Sequence, residues 1–335
     1  MSHSPSLHPL TSALRLAAPL ALAMAAALLG GAGTAQEFKP SKPIRILIPV
    51  PAGSAPDLLS RIISSGFQAK WGQPGIVEAK PGASQNIAAE ALSRAEPDGY
   101  TLLTAPPPAL AINEHLFSKL TYDPKSLVPL SVLVEVPNVL VIRQGLEAKD
   151  VASLVALAKL KPGALNYATP GIGTTPHLTA EAFKIRAGVE ITHVPYKGTL
   201  EVLNDMLGDR IDMAFLNLLD VLGHVQAGKL RAFAVGGAAP SDALPGVPTL
   251  AASYPGFIST TWFAVAAPPG TPEPLANALS AAIREAFQTP EAQKLLTNLK
   301  GANAVLNTPA QAKAYIRADS ERWKEVIVKN GIKAE

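Results

Sequence analysis

Cysteine is absent from the 335 residues. That removes disulfides, thiolate nucleophiles and thiolate metal sites, and leaves no cysteine to carry a lipid behind an export signal. Charge is also sparse, at 16% of residues, and nearly balanced, with 29 Lys and Arg against 26 Asp and Glu. Such a chain has no basic face for nucleic acid. No Walker A sequence, Gly-x-Ser-x-Gly elbow or His-Glu-x-x-His pair occurs, so the common nucleotide, acyl-transfer and zinc-protease signatures are missing. Past residue 35 no apolar run approaches the roughly 20 residues of a membrane span, and the mature chain is expected to be soluble.

One apolar run does stand out, at the start. Arg15 is followed by Leu16 to Leu29 and then by small residues, with Gly33 and Ala35 at the two positions a signal peptidase reads. This predicts a signal peptide cut after Ala35 rather than an uncleaved anchor, for which the run is short. Removing those 35 residues leaves 300, with 28 basic against 26 acidic because Arg15 leaves with them. An exported chain without cysteine fits a bacterial periplasm. At 48% hydrophobic, it can build a large core and is expected to divide into two lobes. Its 31 prolines fall mostly where elements begin or end.

From Ile44 onward the pattern alternates strand and helix: strands at 44–48, 75–78 and 100–104, helices at 58–69 and 87–95. A short helix near Asn113 precedes strands at 128–136 and 139–142. The second half repeats the rhythm, with helices at 151–160, 176–187, 200–207 and one ending near Gly228, and strands at 165–168, 191–194, 211–216 and 231–235. An irregular return over 236–257 leads to a strand at 262–267 and helices at 272–287, 290–299 and 309–329. This alternation predicts an α/β fold with parallel sheets covered by helices. The expected lobes are 36–138 plus 258–335, and 139–257.

Two loops share one grammar. In Ile46-Leu-Ile-Pro-Val-Pro-Ala-Gly53-Ser54-Ala55-Pro56-Asp57 and in Asn166-Tyr-Ala-Thr169-Pro-Gly171-Ile-Gly173-Thr174-Thr175-Pro176-His177, a strand runs into glycine, a hydroxyl residue and a proline that suits the first turn of a helix. Each loop is expected to offer unpaired amides at a helix start, where the helix dipole attracts an anion. One such cradle in each half suggests a small acid held between two lobes.

Other chemistries are weaker. Gly171-Ile-Gly173-Thr-Thr-Pro176 resembles a dinucleotide fingerprint but has proline where the third glycine belongs. Thr174 or Thr175 with His177 offers a hydroxyl and a base for an exported hydrolase, although neighbours on one helical turn seldom aim at a single atom. His177 and His193 lack metal-ligand spacing. Of the cluster Glu201, Asp205, Asp209 and Asp212, the first two stand one helical turn apart and read as a solvated face, Asp212 opens the following strand, and paired acids for glycoside chemistry stay open with nothing around them to raise a pKa; Asp57 is split between capping and a cleft role, and Trp262 and Phe263 read as core.

In order along the chain, Lys42-Pro-Ile-Arg-Ile-Leu-Ile-Pro, Pro51-Ala-Gly, Lys80-Pro-Gly-Ala, Pro97-Asp-Gly-Tyr-Thr-Leu-Leu103, Tyr122-Asp-Pro, Tyr167-Ala-Thr-Pro-Gly-Ile-Gly, His193-Val-Pro-Tyr-Lys-Gly198, Ala227-Gly-Lys-Leu-Arg231, Val247-Pro-Thr249, Ala267-Pro-Pro-Gly-Thr-Pro272 and Gly331-Ile-Lys resemble the Bug family of periplasmic solute-binding proteins, the receptors of tripartite tricarboxylate transporters. The resemblance implies a two-lobed, type II periplasmic binding fold with a carboxylate in the interlobe cleft. It also implies no cofactor, no metal, a monomer, and a transporter or sensor kinase in the membrane as partner. The site positions it points to are Pro51, Ala52, Gly53, Ser54, Asp57, Gln85, Asn86, Ala105, Thr169, Gly171, Gly173, Thr174, Thr175, His177, Tyr196, Lys197, Gly198 and Asn217. The chain departs from the family pattern where Gly53-Ser54 replaces Gly-Gly, and where Ser84-Gln85 replaces a second glycine pair.

Overall fold

The computed structural model describes Met1–His3 and Phe38–Ala334, and the cut expected after Ala35 falls outside the described residues. From Lys39 onward the chain is one compact unit. Strands β1 (Ile44–Ile48), β2 (Gly75–Ala79) and β3 (Thr101–Ala105) are parallel neighbours in the order β2-β1-β3, joined through helices α1 (Ala55–Trp71) and α2 (Asn86–Ser93). In the central strand β1, Ile44, Ile46, Leu47 and Ile48 are almost fully buried, as a strand covered by helices on both faces requires.

Two short helical segments, Pro108–Ile112 and α3 (Asn113–Leu116), lead to β4, Val128–Arg143. Sequence pattern places a break at Pro137; the structure has one strand of 16 residues. Proline has no N–H for a ladder, but here it sits where the strand changes partners. Up to Pro137, β4 pairs antiparallel with β9 (Thr260–Ala267); from Asn138 and Val139 it pairs with β7 (Met213–Asn217) and β8 (Leu230–Val235). Strand β4 thus serves both halves of the mixed sheet, whose order runs β2-β1-β3-β9-β4-β7-β5-β6.

In the second half β5 (Asn166–Thr169), β6 (Thr192–Pro195) and β7 are parallel, with order β6-β5-β7. Helices α4 (Val151–Leu160), α5 (Thr175–Ala187), α6 (Thr199–Leu207) and α7 (Leu218–Gln226) connect and cover them. The stretch read as an irregular return contains one short helix, α8 (Leu250–Ser253). Helices α9 (Glu273–Ala286), α10 (Pro290–Asn298) and α11 (Pro309–Lys329) close the chain, and a two-residue strand, β10 (Asn303–Ala304), pairs with β4.

Helix α9 lies on α1, with Gly66 tight against Ala286 and Lys70 paired with Glu285. Helix α11 touches both halves, since Trp323 and Ile327 pack with Ile112 and Leu116 on one side and Leu178 of α5 on the other. Trp262, read as core, is fully buried on β9, and its indole N–H donates to Asp319, which also accepts from Trp323. Among the described residues no helix is long and apolar enough to cross a membrane.

Candidate functional site

The parallel strands of each half end at a row of loops, and in open α/β sheets ligands bind outside those carboxyl ends. The sites expected from sequence fall on these exits: Pro51 to Ser54 after β1, Gln85 and Asn86 after β2, Ala105 at the end of β3, Gly171 to Thr174 after β5, Tyr196 to Gly198 after β6, and Asn217 closing β7.

The two grammatically alike loops have one geometry. Gly53 and Gly173 take left-handed φ values of 83° and 81°, a region glycine enters at little cost. Each is followed by an extended N-cap, Ser54 or Thr174, and by a proline in the first turn. The N-cap hydroxyl donates three residues back in both, Ser54 Oγ to Pro51 O at 2.7 Å and Thr174 Oγ1 to Gly171 O at 2.8 Å.

The glycine amides do not stand unpaired as the sequence suggests. Gly53 N donates to Asp57 Oδ2 at 2.9 Å, and Gly173 N to His177 Nδ1 at 3.2 Å. A third exit loop repeats the bond, Lys197 N donating to Glu201 at 3.0 Å. In all three the residue before the N-cap gives its N–H to the side chain at the third helical position, a capping box displaced by one residue. What remains without an intrahelical acceptor is the first turn itself: the amides of Ser54, Ala55 and Asp57 in one loop and of Thr175 in the other, since proline removes one of the four orphan donors. These amides and the dipole behind them are the anion-attracting feature of each loop.

Asp57 is therefore a loop anchor. Its carboxylate is nearly buried and also takes Arg61 Nε at 3.1 Å. Burial pushes its carboxyl up, but the Gly53 amide and the Arg61 guanidinium outweigh burial and hold it below the usual carboxylate value.

His177 sits in a buried column. Its ring stacks on His193 at 4.7 Å, and His193 stacks on Tyr167 at 4.7 Å. Burial, with the neighbouring His193, pushes His177 down to about 4; burial also lowers His193. Thr169 is fully buried and shares a 2.7 Å hydrogen bond with His193 Nε2. Beneath them Glu181 accepts from the Tyr167 hydroxyl and pairs with Lys184.

A nucleophile and base would need a threonine hydroxyl against the His177 ring. Thr174 Oγ1 instead serves Gly171, and Thr175 Oγ1 bonds Thr261. His177 Nδ1 is taken by Gly173, so neither Thr174 nor Thr175 pairs with its imidazole.

Thr175 belongs to a buried polar knot at the partner change of β4. Asn138 Nδ2 donates to Ser259 Oγ at 2.8 Å, Thr179 bonds both Ser259 and the Thr175 carbonyl, and Thr261 reaches Asn138 Oδ1 at 3.4 Å. Elements from both halves meet there.

The remaining expected residues are placed as follows. Pro51 and Ala52 are exposed, Ala105 is buried opposite Ala264 of β9, and Gly171 has the carbonyl of Tyr196 3.7 Å from where a Cβ would stand. Tyr196 donates its hydroxyl to Asp205 at 2.5 Å, and burial with that carboxylate pushes the phenol up to about 12. Lys197 is exposed, and Gly198 caps α6. The acidic cluster is paired throughout: Glu201 with Lys197 N, Asp205 with Arg210, and Asp209 and Asp212 with Arg143.

Sequence reading missed Asn113, which is fully buried. Its Nδ2 donates to Ser84 O at 2.8 Å and to Asn86 Oδ1 at 2.7 Å, and Asn86 also accepts from Tyr122 at 3.1 Å. The halves touch here, because a Cβ on Gly173 would stand 2.5 Å from Leu116 Cδ1 and 3.9 Å from Asn113 Oδ1. A polar residue at the start of a short helix after a proline run was its one signal.

A mixed α/β fold with a single strand serving both halves and loops at paired strand exits is that of the periplasmic solute-binding proteins. Residues 59–332 match the tripartite tricarboxylate transporter family receptor, TctC, and the chain belongs to that family. It is 34% identical to protein BugT of Bordetella pertussis over 322 residues, which is 95% of this chain and 98% of BugT. Among solved structures it is similar to R. palustris Rpa4515 with adipate, at 31% identity and a TM-score of 0.80, covering 88% of this chain and 99% of that one. MatC of Rhodopseudomonas palustris with bound malate is similar at 27% identity and a TM-score of 0.77, covering 86% of this chain and 99% of MatC. The family's members are periplasmic solute-binding receptors, not enzymes.

Proposed function

We propose that this chain captures a small organic carboxylate between its two halves and hands it to a tripartite transporter in the inner membrane. The observation that carries the proposal is the shared geometry of the Gly53 and Gly173 turns, each of which orients unpaired first-turn amides at a strand exit. Charge-assisted hydrogen bonds contribute roughly 1.5–3 kcal/mol each, and about five of them offset an association cost of roughly 4–15 kcal/mol. Apolar wall contacts then bring affinity into the micromolar range, about −8 kcal/mol. Solved relatives with adipate and with malate support a dicarboxylate of about four to six carbons.

In this reading the chain is exported, cut after Ala35 and monomeric. The lobes are 36–138 plus 258–335, and 139–257. They close about the polar knot of Asn138, Thr175, Thr179, Ser259 and Thr261, and the closed form is what the membrane subunits recognise.

Thermal denaturation of the protein purified from periplasm, with and without mono-, di- and tricarboxylates, tests the reading. An acid at about 100 times its Kd adds about 2.7 kcal/mol, a rise of roughly 4–8 °C. Absence of stabilisation by every acid at millimolar concentration contradicts it.

A further inference from the structure

Helix α11 carries five basic residues, and three of them pair with an acid about one turn away: Arg322 with Asp319, Lys324 with Glu321 and Lys329 with Glu325. Lys313 and Arg317 form no ion pair among the described residues. They stand four residues apart, where like charges on a helix repel. That repulsion is kept on one face, and the face borders a groove.

The groove runs between α11 and the 124–129 stretch that opens β4. Its volume is about 440 Å³, inside the range of roughly 300–1,000 Å³ that small-molecule sites occupy. The floor is apolar. Leu110, Leu127 and Ile316 reach it from the core of the first half, and Pro124 and Pro129 extend it. None of the residues expected to hold the carboxylate between the halves lines this hollow, so it is a separate one.

Its charges do not cancel. Lys125, Lys313 and Arg317 line it together with Glu114 and Glu321, and both acids are already engaged. Glu114 takes Lys125 Nζ at 2.6 Å and accepts from the Ser320 hydroxyl at 2.8 Å, while Glu321 takes Lys324. Two positive charges are therefore left over beside an apolar floor. A cationic ligand would meet them with no free carboxylate to offset the repulsion. An inorganic anion would leave the floor unused, and a wholly apolar body would leave the two cations unused.

We propose that the groove between α11 and the start of β4 is a second ligand site, for a small amphipathic anion. The apolar body lies on Leu110, Leu127 and Ile316, and the acid group meets Lys313 and the Arg317 guanidinium, whose planar fork suits a carboxylate or sulfonate.

Calorimetric titration of the protein purified from periplasm with octanesulfonate tests this, with methanesulfonate lacking the body and octyltrimethylammonium reversing the charge. Octanesulfonate is expected to bind with a submillimolar Kd, and each of the other two at least about 10-fold more weakly. The combined variant Lys313→Gln with Arg317→Gln is expected to weaken octanesulfonate by about 10-fold. Both positions are exposed and glutamine is a good helix former, so the variant keeps its fold. Absence of octanesulfonate binding at millimolar concentration overturns the inference, as does equal binding of the cationic probe. Undiminished binding by the double variant, or displacement of octanesulfonate by adipate, places the probe elsewhere and overturns the site.

Discussion

The main-chain amide of Gly173 donates to Nδ1 of His177, 3.2 Å away. An imidazole nitrogen that accepts has no proton on it, so the ring is neutral, with any hydrogen on Nε2. The bond is the counterpart of Gly53 to Asp57 in the other half. Each ties a left-handed glycine to the first turn of the helix it precedes, and fixes where the neighbouring amides point.

This bond makes stability sensitive to acid. His177 is pushed down to about 4 from an ordinary value of 6.5, so the unfolded chain binds more protons than the folded one between those limits, and stability is lost as pH falls through that window. From pH 7 to pH 5 this group alone removes about 2 kcal/mol, and His193, lowered in the same column, adds to the loss. Urea unfolding at both pH values is expected to show the loss in the native protein and a clearly smaller one in His177→Gln. Equal slopes would remove His177 as the cause.

Asp57→Ala is expected to destabilise by about 1–3 kcal/mol, since it strips Gly53 N and Arg61 of their acceptor. The aspartate is held below its ordinary value, so its contribution is present at neutral pH and fades as pH falls below about 4. Denaturant midpoints of the variant and the native protein should therefore differ at pH 7 and converge toward pH 3.

Asn138 joins the strand serving both halves to Ser259 and Thr261. Asn138→Ala leaves buried hydroxyls short of partners, and a loss of about 2–4 kcal/mol follows. Chemical denaturation reads this directly; a loss under 1 kcal/mol would show the knot to be relaxed by water.

Gly173→Ala and Gly53→Ala separate space from backbone conformation. Both positions are left-handed, which costs alanine roughly 1 kcal/mol. Only at Gly173 does the new methyl meet an obstacle, Leu116 Cδ1 at 2.5 Å, whereas Gly53 has nothing within 4 Å. Gly173→Ala should be the more destabilising by at least about 1 kcal/mol, and Leu116→Ala in the same chain should recover part of that difference.

Much of this fold was legible in the sequence because apolar runs bounded by proline and glycine mark strands and helices regardless of tertiary context. The helix at 309–329 and the strand at 44–48 have the bounds the pattern predicts. Strand β4 was split at Pro137 because a local rule about missing donors cannot see that the strand changes partners there. The paired glycine turns were legible for the same reason as the strands, through fixed local chemistry. What their amides bind was not: whether Gly53 meets Asp57 or a ligand depends on a rotamer four residues away. Asn113 was invisible because its meaning arises only when Ser84 and Gly173, 29 residues before it and in the other half, are brought to it.

The central claim, that main-chain amides at the two turns hold a deprotonated acid, is tested most directly by titrating the native protein with its tightest dicarboxylate and with the same molecule bearing a carboxamide in place of each carboxylate in turn. Loss of two charge-assisted bonds corresponds to about 3 kcal/mol, or roughly 100-fold in Kd, and at least one replacement is predicted to cost that much. Carboxamides that bind as tightly as the parent acid would contradict the account.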